Sequence, residues 1–547
     1  MNTNPNENTN DHKPQLDTAW SPVADAMRHN LPSPVTKQGN PIDPADPGSL
    51  GTRLLALLLT VLVVACVIVW QNTSEDFKFK TLLGKAPAPI VLQPDQSAPG
   101  SYGGVDLMGR LFLKNFEMFK NQPTPIISKI DNGSTLFAAE DRIRLIMLVA
   151  EFEGTEAALD RIHILQNELI TVTPDDENDD KDDKDQDENN VQIQVLADNL
   201  IIDELTTLEV LYLIGVDALE PQYRQQLTDR YGLIGKVALT HGLSNTDPLR
   251  QPLITGGGWL IAFGFVSILG AVFFSIAGTC LLIFGIIQLA SGKIKLRNHV
   301  PAKGGSIFLE TYCLFVGAFL VMFIATFFVA NSSRPELMKY SLVAQWLLLL
   351  TVLWGLARGM KSQRWRKAIG WHTGEGVLKE IGIGIIAYIA SIPLFIIGIL
   401  ITAILLITRE AISLAQNNGV PQEPESLTNP IFELVASGNK SVIIMFFILA
   451  TTWAPIVEET IFRGALFRHL RSSMHWVFAA LLSAFLFGYM HNNGPLMVAP
   501  LIALGFMFAF MREWRGSLIA PMTAHFLHNF TLMSFMIILV QLLKDPI

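Results

Sequence analysis

Nine stretches of this chain are apolar over lengths that a lipid bilayer selects, near residues 54–70, 257–291, 306–331, 340–357, 376–407, 441–470, 476–491, 496–511 and 517–543. Inside hydrocarbon no water satisfies the backbone, so a spanning segment is either a helix or part of a closed barrel. Long apolar runs separated by short loops specify helices. The fold class read from the sequence is therefore an all-α membrane protein: a polytopic helical bundle of about nine transmembrane helices, with an inserted helical extracytoplasmic domain. Half of the residues are hydrophobic and 16% are charged, which fits a membrane-class composition.

The spacing of the runs sets the domain organisation. Residues 1–52 are rich in Asn, Pro, Asp and Thr and read as a disordered, cytoplasmic N-terminus. Residues 53–70 read as a signal-anchor transmembrane helix, uncleaved because its apolar run starts only after Arg53. Residues 71–255 hold no further span and read as an extracytoplasmic domain. Its first part, with Pro87, Pro89, Pro94 and Pro99, has the composition of a linker. Beyond it, apolar residues such as Ile143, Ile146, Met147, Val149 and Phe152 recur at helical spacing. Residues 256–305 give a transmembrane helix and a basic loop, and residues 306–547 a membrane domain.

Charge narrows the choice of partners. The acidic loop 175–190 holds ten acids against Lys181 and Lys184, a net of 2 − 10 = −8 out of the chain's −9. The remainder is nearly neutral, so no nucleic-acid partner is implied. The loop lacks the central glycine and spacing of an EF-hand and reads as a solvated connection. Cys66, Cys280 and Cys313 all fall in apolar runs, which removes a CxxC metal site and a disulfide framework. Lysines and arginines crowd the loops near 293–303, 358–367, 468–471 and 512–515, and alternating spans put all four on one side. By the positive-inside rule that side is cytoplasmic, which leaves 71–255 outside, facing an extracytoplasmic partner the sequence does not name.

Three apolar runs carry polar residues that lipid would not tolerate. Glu458, Glu459 and Arg463 lie in the first, Phe487 and His491 in the second, and His525, His528 and Asn529 in the third. Ionisable groups at such depth face a protein interior and mark functional sites. Glu459 and Arg463 are four apart with the acid first, the favourable helical pairing. Glu458 then points about 100° away and keeps no local partner. Pro455 removes a backbone hydrogen bond just upstream and is expected to loosen the helix. Counting from the loops puts Glu458 and His491 each roughly 20 Å along their helices, and His525 only about 12 Å, a poorer match. His525 and Asn529 share a face and suit donation to an oxyanion. A bland alternative stands beside each residue, because membrane Glu–Arg pairs and histidines also serve as interhelical ties. His469 and His475 read as interfacial, and the Met/Phe content of 501–511 as packing.

The patterns EExxxR at Glu458-Glu459-Arg463, FxxxH at Phe487-His491 and HxxxN at His525-Asn529 together resemble the CPBP family of intramembrane proteases, also called the Abi or CAAX-protease-and-bacteriocin-processing family. The resemblance is specific over about 441–535, is carried by hydropathy alone from about 306, which makes 306–547 a CPBP-like intramembrane protease domain, and does not cover 1–255. It implies that Glu458 is the general base that activates water, with His491 assisting. It further implies that His525 and Asn529 hold the oxyanion, and that Glu459, Arg463 and Phe487 support the site. Two chemistries stay open. Glu458, His491 and His525 form the His₂Glu set of a catalytic zinc site with an open fourth position. The same residues also suit a metal-free mechanism. The implied substrate is a membrane-associated peptide or lipidated protein, prenylated or bacteriocin-like, met in the lipid bilayer. Two other classes compete: a non-catalytic membrane scaffold or sensor, and a proton-coupled transporter with a Glu/His relay.

Overall fold

The apolar runs are helical in the computed structural model of the 547-residue chain. The structure describes residues 35, 40–72, 104–119, 139–171, 201–330, 338–416, 440–491 and 495–543. Among them six helices are long and apolar enough to cross a membrane. The fold is thus that of an all-α, polytopic membrane protein, but nine full-length crossings are not reached. Run 340–357 breaks into short α and 3₁₀ turns from Met338 to Ala357. Run 476–491 gives the 14-residue helix Trp476–Tyr489, and run 496–511 the 17-residue helix Ala499–Arg515. At about 1.5 Å per residue neither reaches across a hydrocarbon layer of about 30 Å unaided.

The first element among the described residues is a short strand, β1 (Ile42–Asp43), followed by the first spanning helix, α1 (Leu50–Asn72). Helices α2 (Gly104–Lys114), α3 (Ala139–Phe152), α4 (Thr155–Thr171), α5 (201–213) and α6 (Pro221–Ala238) then build the inserted domain. Their apolar stripes close on one core of Leu113, Ile146, Leu165, Leu208, Tyr231 and Val237. Charged groups beneath the surface are paired: Arg230 binds Glu140 at 2.5 Å and Glu204 at 2.8 Å, and Glu151 takes Arg250 at 2.5 Å and His241 at 2.8 Å. Burial pushes the Glu204 carboxyl above its ordinary range against the pull of Tyr231 and Arg230. The acidic loop 175–190 and the proline-rich stretch 87–99 lie outside the described residues.

Helix α7 (Gly258–Ala290) is apolar all round, with only Leu260 and Gly278 fully buried, so beyond its seam with the bundle it offers a surface suited to lipid. A second short strand, β2 (Val300–Pro301), precedes α8 (Ile307–Ala330), which packs on α1. Helix α9 (Val377–Gln416) carries Pro393 and lies against α7 and the C-terminal helices. At the α7–α9 crossing a side chain on Gly278 would meet Ile389 O at 2.3 Å, so only glycine allows this approach. The chain closes with α10 (Lys440–Arg471), α11 (Trp476–Tyr489), α12 (Ala499–Arg515) and α13 (Ile519–Leu543). Helices α11, α12 and α13 pack in sequence order, with α9 across α12 and α13.

The N-terminal region corrects the composition-based reading. Residues 40–52, expected to be disordered, run as a strap along the basic end of the bundle. β1 pairs in parallel with β2, through Val300 N–H to Pro41 O at 2.9 Å and Ala302 N–H to Asp43 O at 3.0 Å. The cause is a buried cation. Arg468 is 2% exposed and donates to Asp46 at 3.0 and 2.9 Å and to Asp43 at 3.4 Å. A buried guanidinium must be paired, and the strap supplies the acids. Burial raises the Asp43 carboxyl, but the His299 hydrogen bond and Arg468 outweigh it and hold the group below its ordinary 3.8. A depressed acid contributes stability above its unfolded value and loses it as pH falls through the folded one. The strap should therefore become a protease target in acid, below the ordinary carboxylate range, while staying protected at neutral pH. Asp46→Asn should cost about 3 kcal/mol and expose the strap to limited proteolysis at neutral pH.

Candidate active site

Helix α10 is irregular where its chemistry lies. Two stretches, Leu449–Trp453 and Glu459–Leu466, are wound as π turns, with an ordinary α turn between them that contains Pro455. Wide turns of this kind concentrate at functional sites. In π register the N–H of residue 455 would bond the carbonyl of residue 450, and proline has no N–H to give. The Ala450 carbonyl is taken instead by Asn529 Nδ2 at 2.7 Å. The loosening expected at Pro455 is thus real, and α13 ties it back into the bundle.

Glu459 and Arg463 pair as the sequence predicts, Nη1 to Oε1 at 2.8 Å, with neither side chain exposed. The same Oε1 also meets His525 Nδ1 at 2.8 Å. A carboxylate only accepts, so Nδ1 carries the proton and Nε2 is turned outward. Nε2 faces Glu458 Oε2 at 3.9 Å. Glu458 Oε2 is buried and has no hydrogen-bond partner. A water 2.8 Å from both atoms would subtend about 90° between them, a workable hydrogen-bonding angle. Within the doublet Glu459 holds both Arg463 and the His525 imidazole, while Glu458 Oε2 accepts no hydrogen bond.

Rings complete the enclosure. Phe508 stacks on His525 with centroids 5.3 Å apart, and Phe487 meets His525 edge-on at 5.9 Å. The Arg463 guanidinium lies 4.2 Å from the Phe487 centroid and 5.2 Å from that of Phe508. These contacts offset the desolvation of a cation whose Nε and Nη2 lack hydrogen-bond partners. Gly505 makes room, because a side chain there would press on Arg463 Nη2 at 3.0 Å. Phe508 and Gly505 were not singled out in the sequence, where 501–511 reads as packing. The packing is against His525 and Arg463, and no spacing rule reports that.

His491 lies just beyond the end of α11, with Nδ1 on Phe487 O at 2.8 Å and its ring 4.8 Å from that of Phe487. Among the described residues no hydrogen bond joins it to Glu458; it reaches the site through the shared Phe487 ring. The order of proximity therefore reverses the depth argument, since His525 and not His491 stands nearest Glu458. His528 is turned away, between Tyr388 and Phe395. The soluble and loop histidines find partners too: His163 with Glu209, His241 with Glu151 and His299 with Asp43.

As a zinc site the proposed ligands do not fit. Glu458 and His525 face each other, but no group of three His, Cys, Asp or Glu side chains among the described residues is gathered to hold an ion.

The fold and these side chains define an α-helical, multi-pass membrane protein with a carboxylate–imidazole centre inside the bundle. Residues 440–531 match the family model described as "Type II CAAX prenyl endopeptidase Rce1-like", so the chain carries a Rce1-like domain there. That span holds every side chain of the centre. Two proteins of Bacillus subtilis (strain 168) are similar to this chain. "Putative membrane peptidase YdiL" is 29% identical over 111 residues, 20% of this chain and 43% of that protein. "Uncharacterized protein YpbD" is 34% identical over 80 residues, 15% of this chain and 40% of that protein. The chain thus spans less than half the length of either relative. No solved structure matches it.

Proposed function

We propose that this chain is an intramembrane endopeptidase that hydrolyses a peptide bond of a membrane-associated substrate. One observation carries the reading: a buried carboxylate oxygen of Glu458 without a partner, facing an imidazole whose other nitrogen is locked by Glu459. In this scheme Glu458 removes a proton from water, the oxygen attacks the scissile carbonyl carbon, and the C–N bond breaks. The amine leaves with the proton that Glu458 held. His491, with Nδ1 on a carbonyl, presents Nε2 as an acceptor and helps orient the water. His525 Nε2, 3.9 Å from Glu458, takes up that same proton in turn, donates it as a hydrogen bond to the oxyanion, and gives it up as the amine leaves. Asn529 adds its second N–H, since only one is used on Ala450. Arg463 and Glu459 fix the imidazole.

The substrate class follows from where the centre lies and from the Rce1-like match, and is a peptide or lipidated protein reached from the bilayer. The basic loops and the strap at one end, and the inserted domain at the other, support a cytoplasmic N-terminus with residues 71–255 outside. A scaffold gives no use for a buried Glu458 oxygen without a hydrogen-bond partner, whereas a proton relay would, so cleavage and proton flux are both measured. The test is incubation of the reconstituted protein with a farnesylated peptide, read by mass spectrometry for a new C-terminus. A cleaved product supports the protease, and proton-coupled flux without product supports a transporter. Prior treatment with a chelator, checked by a stoichiometric metal assay, should leave cleavage within about twofold. Activity that falls with the metal content would restore the zinc reading.

A further inference from the structure

We propose that a cavity at the basic end of the bundle binds the headgroup of one anionic phospholipid. The cavity has a volume of about 790 Å³ and lies where α7 leaves the membrane, between its last turn and the N-terminal strap. Leu289, Ile294, Leu296 and Pro41 give it an apolar lining, while Lys295, Arg297 and His299 give it a polar rim. An apolar floor continuous with a lipid-exposed helix suits acyl chain, and a basic rim at the helix end suits phosphate.

Charge complementarity selects the occupant. The acids nearby are already oversubscribed. Asp43 is shared by His299 and Arg468, and Glu375 by Arg297, Lys379 and Arg515. Lys293 and Lys295 are exposed and form no ion pair with another described residue, which leaves a cationic surplus at the rim. Zwitterionic headgroups cannot neutralise that surplus, whereas a phosphatidylglycerol-type headgroup can. Pro41 forms one wall and His299 holds Asp43, so an occupied cavity also stabilises the strap. The proposal needs the membrane-spanning fold but not the protease reading.

Native mass spectrometry of the full chain, released from micelles of phosphatidylcholine doped with phosphatidylglycerol, tests it. One phosphatidylglycerol should remain bound, and Lys295→Glu should weaken its retention about tenfold. Lys361→Glu, a charge reversal in another basic loop, should change nothing. Both variants should melt with the wild type in phosphatidylcholine alone, and Lys295→Gln provides a milder check. Equal losses for Lys295→Glu and Lys361→Glu would reduce the effect to diffuse surface charge and overturn the proposal. So would displacement of the lipid by millimolar inorganic phosphate, or retention unchanged in Lys295→Glu.

Discussion

Arg463→Met is expected to destabilise the membrane domain by about 3–5 kcal/mol, the scale for stranding one member of a buried ion pair. Methionine nearly fills the same volume, so the loss comes from charge and not from a cavity. Glu459 would keep only His525 as a partner in a wall of Phe487 and Phe508. Adding Glu459→Gln should recover much of the loss, because both charges are then gone. Melting midpoints in one detergent, arranged as a double-mutant cycle, measure the coupling directly. Additive losses would show that the pair does not act as a unit.

His525→Ala is expected to lower kcat for a lipidated peptide by about 10²–10⁴, the range for removing a positioned acid–base group. Its KM should move much less, since Nε2 is aimed at Glu458 and not at a distant binding groove. A merely structural imidazole would give the opposite split, with folding yield falling and kcat per folded molecule preserved. Asn529→Ala should fall between these cases, because its amide both ties Ala450 and has a donor to spare.

Local periodicity made part of this site legible in the sequence. The Glu459–Arg463 pairing needs only helical spacing, and the separation of Glu458 from Glu459 needs only the 100° step. The consequence of Pro455 was readable as a loosened helix, but its repair by Asn529 was not, because that contact spans 79 residues. Depth counting misjudged His525 since a rise per residue from a loop takes no account of tilt or wide turns. The strap was missed for a related reason. A composition rule treats residues 40–52 in isolation, whereas Asp46 is ordered by an arginine 422 positions away. The arginines at 468, 471, 512 and 515 read as markers of topology, yet they are also buried and bonded. Arg471 binds Glu513 at 2.9 Å, and Arg515 binds Glu380 at 2.8 Å. A plate of buried ion pairs at the basic end of the bundle thus joins α9, α10 and α12. Its acids are scattered through the sequence with no periodicity to announce them.

Two adjacent carboxylates with opposite duties remain the centre of the account, and a side-by-side comparison of Glu458→Gln and Glu459→Gln tests them most directly. Each variant would be reconstituted, melted and assayed on the same farnesylated peptide. Glu458→Gln should abolish cleavage and keep the wild-type melting temperature, while Glu459→Gln should lose several degrees. Wild-type cleavage by Glu458→Gln, with the protein folded, would contradict the assignment of the water-activating base.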